Sequence, residues 1–163
     1  WLEAVTTQES SLSRVLDIDY AAYAEAEASL AWLNAKAVLR GQGSFAADDF
    51  AVRLLQGIAD RLAAAHAPIA HLKCQVLGRG VHLKGSITDS SRPVYWDEWT
   101  PDAQVERAQL LVNARVETGP SRLEQTVRDA LDAAAAALRV RHDITHFECF
   151  RPAPPQPTHR LAA

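Results

Sequence analysis

The two halves of the chain repeat one pattern, once in residues 33–74 and again in residues 112–149. The matching segments are Leu33 to Lys36 with Val112 to Arg115, Val52-Arg53 with Val127-Arg128, and Ile69 to Cys74 with Ile144 to Cys149. An internal duplication means that one structural unit occurs twice in the chain. The repeat therefore constrains the architecture before any single helix or strand is assigned.

Alternating apolar and polar residues predict strands, and apolar residues three or four positions apart predict helices. By these criteria each copy is a strand, a helix and a strand. One further strand forms a hairpin after the first copy, across the turn Gly78-Arg79-Gly80. A capping box at Ser121 and Glu124 is expected to begin the second helix. The predicted strands cover residues 30–40, 69–76, 81–87, 110–116 and 143–150, and the predicted helices cover residues 46–65 and 121–138.

The order β-α-β-β-β-α-β predicts an α+β domain with a ferredoxin-like, duplicated βαβ fold and one extra hairpin strand. Right-handed crossovers that leave room for one strand place the five strands in the order fifth, first, fourth, second, third. The expected product is a mostly antiparallel five-stranded sheet with two helices on one face and the other face open. The same alternation of inward and outward residues fits the strands of both copies of the repeat. It points Leu72, Cys74, Phe147 and Cys149 inward, and His71 and His146 outward.

Composition excludes several classes of protein. The net charge of -3 argues against a dedicated nucleic-acid binder, because neutralising phosphates requires clustered Lys and Arg. No apolar run approaches the roughly 20 residues of a membrane-spanning helix, so no membrane partner is expected. Two cysteines do not form a disulfide framework, which favours a reducing, cytoplasmic location.

The ends of the chain suggest a piece of a longer protein. The sequence contains no Met and begins at Trp1, which is typical of an excised domain. Residues 1–27 lack periodicity and are interpreted as an irregular lead-in or interdomain linker. Residues 28–151 form the predicted domain, and residues 152–163 form an extended, Pro-rich tail.

Catalytic and metal-binding patterns are weak in this sequence. The pairs His71-x-x-Cys74 and His146-x-x-Cys149 have residue types that bind zinc. Residues three apart on a strand point to opposite faces, however, so one pair cannot chelate a metal ion. We therefore interpret the cysteines as buried and structural, and we expect no catalytic, cofactor or metal-binding residues in this segment.

The open face of the predicted sheet carries more basic than acidic side chains, opposite in sign to the whole chain. That pattern is typical of a docking surface for an acidic partner. A solvated sheet face without a partner would show the same pattern. An RNA-binding sheet would need several aromatic residues for base stacking, and only Trp32 qualifies. The expected open-face residues are Trp32, Asn34, Lys36, Arg40, His71, Lys73, Gln75, Lys84, Asn113, Arg115, Glu117, His146 and Glu148.

An aromatic patch, Tyr95-Trp96-Asp97-Glu98-Trp99, lies in a segment that is predicted to be an irregular loop, residues 89–106. Such residues fold back over a core edge or, if exposed, anchor an interface. Trp96 and Trp99 therefore join Trp32, Asn34, Lys36, Lys73, Asn113 and Arg115 as the candidate interaction residues.

The order of elements resembles the C-terminal domain of the CobW-type P-loop GTPases. The resemblance covers about residues 28–135. It rests on a strand from Ala31 to Leu39, a helix from Asp49 to Leu62, a hairpin from Ile69 to Ile87, the aromatic pair Tyr95-Trp96, and a strand and helix from Leu110 to Ala130.

The resemblance implies a non-catalytic accessory domain joined to a P-loop GTPase domain in the same polypeptide. Such proteins are implicated in delivering zinc or cobalt to a metalloprotein client, or in cobalamin synthesis. GTP and a divalent metal would then belong to the other domain. Neither G-x-x-x-x-G-K-[ST] nor C-x-C-C occurs in this chain. The alternative is a stand-alone module that senses a small molecule or metal ion as a homodimer.

Overall fold

The computed structural model describes residues 29–89 and 93–153, which form one antiparallel sheet with two helices. Most of the lead-in and of the Pro-rich tail lies outside these residues. The strands pair in the order β4-β3-β2-β5-β1-β6. The elements are β1 (Ala31–Ala46), α1 (Ala47–Ala64), β2 (Ile69–Gly78), β3 (Val81–Ile87), β4 (Tyr95–Glu98), β5 (Gln104–Val116), α2 (Pro120–Ala137) and β6 (Val140–Phe150).

The core lies between one face of the sheet and the two helices. Alternate residues of the central strands are buried, such as Leu33 in β1, Leu72 in β2 and Val112 in β5. The helices bury one apolar stripe each, which includes Phe50 in α1 and Leu123 in α2. Because both helices cover the same face, the opposite face of the sheet is left without a covering layer among the described elements.

The five predicted strands are present in the expected order, but the expected number of strands is wrong, because the sheet has six. The additional strand is β4, which pairs with β3 inside the segment predicted to be irregular. β4 has only four residues, all but Trp96 exposed, so it lacks the alternating burial that marks a strand in sequence. Pairing with a neighbouring edge, rather than its own pattern, makes this segment a strand.

Two local predictions are also corrected. β1 does not end at Arg40 but continues to Ala46, with an irregularity in its pairing with β5 between Arg40 and Phe45. The capping box is absent: α2 begins one residue earlier, at Pro120, with no side-chain cap. Glu124 instead accepts a hydrogen bond from Arg128 at 2.9 Å.

The duplication is visible as two interlocked units, β1-α1-β2 and β5-α2-β6. β1 and β5 lie side by side at the centre, β2 pairs with β5, and β6 pairs with β1. The hairpin strand β3 and the short β4 extend the sheet only on the β2 side. Neither helix among the described residues is long and apolar enough to cross a membrane.

Candidate surface on the open sheet face

We define the open face as the outward residues of the six strands on the side opposite the helices. Its first row runs across four strands and joins Phe150, Trp32, Arg115 and His71. The Arg115 guanidinium lies 4.0 Å from the centroid of the Trp32 ring, and the Phe150 ring lies 6.2 Å away on the other side. This stacking holds Arg115 in place while the residue stays exposed.

The second row contains two asparagines at equivalent positions of the repeats. Asn113 Nδ2 donates a hydrogen bond to Asn34 Oδ1 at 2.6 Å. Lys73 lies beside Asn113, and Glu148 lies beside Asn34. These two flanking residues also occupy equivalent positions of the repeats but carry opposite charges, so the face is more basic towards β2.

The third row contains Lys36, with His146 on one side and Leu111 on the other. The pairing of β6 with β1 is irregular at this point, between Lys36 and Ala37. The irregularity brings Thr145 beside β1, where its hydroxyl donates to the Lys36 carbonyl at 3.3 Å. An open hollow of about 300 Å³ lies here, lined by Lys36, Val38, Gln109, Leu111 and Thr145, among others.

The basic side chains of the open face differ in whether an acidic neighbour neutralises them. Arg40 pairs with Asp143 at 3.8 Å, and Lys84 pairs with Asp97 at 3.3 Å. Within the described residues, Lys36, Lys73 and Arg115 make no such ion pair. Among the described residues, the centre of the face therefore presents three positive charges that have no ion-pair partner.

The pKa of His71 is lowered in part by the same excess of positive charge. Partial burial lowers the pKa of its imidazole, and the neighbouring charges of Lys73 and Arg115 lower that pKa further. A cationic imidazole is disfavoured here because it would be a further positive charge on an already basic surface. An acidic group brought to this face would reverse that effect.

The aromatic patch lies at the β4 edge of the sheet, not among these rows. The Trp96 ring covers Gly85 on the core side, where a Cβ on Gly85 would come within 2.6 Å of the ring. Its centroid lies 4.5 Å from that of Trp99. Tyr95 and Trp99 remain exposed, by 68% and 43%. Trp96 is thus a packing residue that holds β4 in the sheet.

A polar cluster fixes β4 from the open side, and sequence reasoning missed it. His82 contacts the Glu98 carboxylate through Nδ1 and the Gln75 amide through Nε2, the latter at 2.6 Å. The Thr100 hydroxyl donates to the His82 carbonyl at 3.2 Å. Three strands and the segment after β4 contribute to this cluster, so no local motif could reveal it. The alternation of β3 only indicates that His82 points outward.

Six of the eight candidate interaction residues are brought together. Trp32, Asn34, Lys36, Lys73, Asn113 and Arg115 lie on three adjacent strands, within the three rows described above. Trp96 and Trp99 belong to the β4 edge. Phe150 was missed as a member of the face, although its place at the end of the alternating strand β6 could have identified it.

The two thiols are poorly suited to chemistry. Burial raises the pKa of Cys74 to about 12. Burial, with a contribution from the charge of Glu124, raises the pKa of Cys149 to about 11. Cys149 also donates to the Pro120 carbonyl at 3.2 Å. In the described part of the chain, no group of three His, Cys, Asp or Glu residues is arranged to hold a metal ion.

The chain matches no protein-family model, no curated protein and no solved structure.

Proposed function

We propose that this chain is a non-catalytic interaction domain that docks an acidic partner on its open sheet face. The observation that carries the proposal is the group of three uncompensated cations, Lys36, Lys73 and Arg115, on three adjacent strands. Isolated surface charges contribute little to binding, but several on one rigid face give a complementary partner orientation and a faster association rate.

The rigidity of the face supports this role. Trp32 fixes Arg115 by stacking, and the asparagine pair ties β1 to β5 beside Lys73 and next to the row of Lys36. Side chains that are held before binding lose less conformational entropy when a partner arrives. The exposed rims of Trp32 and Phe150 add apolar area next to the charges, which is typical of an interface anchor.

The partner we propose is the P-loop GTPase domain of a CobW-like protein, carried in the same polypeptide, or a metalloprotein client of that protein. This choice rests on the resemblance of residues 28–135 to the CobW C-terminal domain. It also rests on the interpretation of the duplicated sheet as a ferredoxin-like fold. GTP and a zinc or cobalt ion would be bound by the GTPase domain, in the cytoplasm. The present domain would couple the nucleotide state of the GTPase domain to contact with the client.

The test is a binding titration with the GTPase half of such a protein, loaded in turn with GTP and with GDP. The double variant Lys36→Glu/Arg115→Glu is expected to weaken binding at least tenfold. A matched control, Arg61→Glu/Arg122→Glu, reverses two charges on the helices and is expected to bind like the wild type. If the wild type and the open-face variant bind with equal affinity, the open face is not the docking surface.

One observation favours a second candidate function. The hollow beside Lys36 has room for a small anionic ligand, with Thr145 and Gln109 as polar neighbours. A stand-alone sensing module acting as a homodimer would use such a site. Light scattering that shows a ligand- or zinc-dependent dimer would support it, whereas a monomer under all such conditions would count against it. Two copies docked face to face would bring like charges together, which disfavours that form of dimer.

A further inference from the structure

The described domain and the segment before it differ in charge. Residues 1–28, which we call the acidic lead-in, contain six acidic residues and a single basic one, Arg14. The lead-in thus carries a formal charge of -5, whereas the whole chain carries -3. The rest of the chain is consequently net basic. The acidic positions are Glu3, Glu9, Asp17, Asp19, Glu25 and Glu27.

The lead-in joins the domain next to the open face. β1 begins at Ala31, so residue 28 is three positions from the first strand residue. Trp32 follows at once and lies in the row that contains Arg115 and His71. The acidic lead-in is therefore attached at the end of β1 that carries Trp32, next to Arg115.

The lead-in is also long enough to reach every row of that surface. Six strands at roughly 4.8 Å spacing make a sheet about 24 Å wide, and ten extended residues already span about 33 Å. Attachment to the same chain gives a segment of this kind an effective concentration in the millimolar range. Weak pairings with Lys36, Lys73 and Arg115 would suffice at such a concentration.

Trp32 provides a second, independent indication. Its indole Nε1 is buried and has no hydrogen-bond partner within the described part of the chain. A buried donor of this kind usually has an acceptor. Asp and Glu side chains of a segment that ends four residues earlier are close in sequence and chemically suited to that position.

We propose that the acidic lead-in binds the open face of its own domain and must be displaced before an acidic partner can dock. This proposal rests on the proposed function, because it regulates the same surface. The lead-in then acts as an internal competitor: it blocks weak acidic partners and yields to a partner that binds more tightly.

A paramagnetic label on the lead-in of the full chain tests this proposal. Ser10→Cys provides the attachment site, 21 residues before β1, so that proximity along the chain does not dominate. Cys74→Ala and Cys149→Ala remove the two native thiols, so the introduced cysteine carries the label. In an ¹⁵N-labelled sample, we expect the amide signals of Lys36, Lys73 and Asn113 to lose at least half of their intensity.

Three controls make the result decisive. Outward residues of α1 and α2, such as Asp60 and Asp132, should keep their intensity. Replacing the six acidic residues of the lead-in by Asn or Gln should restore the open-face signals, as should 0.5 M salt. Equal broadening of both faces, or no change on the open face, would overturn the proposal.

The origin of the contact is tested by mixing. A chain at natural isotopic abundance that carries the spin label is mixed with a ¹⁵N-labelled chain that lacks it. The open-face signals of the ¹⁵N-labelled chain should then stay unchanged. Broadening in that mixture would show that the lead-in binds a second copy and would contradict an internal competitor. If the open face is free of the lead-in but the charge reversal of Lys36 and Arg115 still weakens partner binding, this proposal fails and the proposed function stands.

Discussion

Asn34 and Asn113 occupy the same position in the two repeats, and they face each other across β1 and β5 with a 2.6 Å hydrogen bond. An approximate twofold axis therefore passes between these two side chains. The axis relates Lys36 to Arg115 and His71 to His146, whereas it relates Lys73 to the oppositely charged Glu148. The asparagine pair is the point at which the duplicated units join.

The asparagine bond should contribute measurably to stability. Asn34→Ala and Asn113→Ala are each expected to lower the free energy of unfolding by about 0.5–1.5 kcal/mol, the usual net value of such a bond. The two losses should not add, because each variant already removes the same bond. Urea denaturation of both single variants and of the double variant measures this coupling. Strict additivity would mean that the two side chains act independently.

Gly85 should tolerate no side chain while Trp96 stays in place. Gly85→Ala is expected to lower the free energy of unfolding by about 1–3 kcal/mol, because the new Cβ would lie 2.6 Å from the Trp96 ring. Displacement of the ring should also shift the tryptophan fluorescence. Gly43→Ala is the matched control, since a Cβ there meets no atom within 4 Å. Similar losses in both variants would contradict the packing described for β4.

The lowered pKa of His71 should make stability depend on pH. The unfolded chain binds a proton at His71 at a higher pH than the folded chain does, so stability decreases as the pH falls from about 6.5 through the lowered pKa. His71→Gln should reduce this decrease, and Lys73→Gln should reduce it in part. Thermal denaturation between pH 7.5 and pH 5 measures the difference. An unchanged slope in His71→Gln would exclude this residue as a cause.

The raised pKa values of the cysteines predict slow thiol chemistry. At pH 7.5, a disulfide reagent should modify fewer than a tenth of the native thiols within minutes, because the thiolate is the reactive form. In denaturant both cysteines should react at once. Glu124→Gln removes one cause of the raised pKa of Cys149 and should accelerate its reaction alone. Fast modification of the native wild type would show that Cys149 is more accessible than its packing indicates.

The sequence predicted the duplicated part of the fold well, for a physical reason. Long strands with one buried face must alternate, as β2 does from Leu72 to Val76, and the repeat gives two observations of each register. The sequence did not predict β4, because a four-residue edge strand is too short to show alternation of apolar and polar residues. Its stability comes from Trp96 over Gly85 and from the contact between Glu98 and His82, which sequence spacing does not reveal.

The candidate surface was predictable as a face but not in its internal contacts. Alternation placed Trp32, Lys36 and Arg115 on one side of the sheet, and the structure keeps them there. The stacking of Arg115 on Trp32 depends on the cross-strand register between β1 and β5, which the order of the strands alone does not fix. The separation of Trp96 from this face follows from β4, the strand that was missed.

The most direct test of the docking surface is an NMR titration of the ¹⁵N-labelled chain with the GTP-loaded GTPase domain of a CobW-like protein. We predict that shift changes concentrate on the amides of Trp32, Asn34, Lys36, Lys73, Asn113 and Arg115, and that Lys36→Glu/Arg115→Glu abolishes them. Shift changes confined to the outward surfaces of α1 and α2, or no binding at millimolar concentration, would contradict the account.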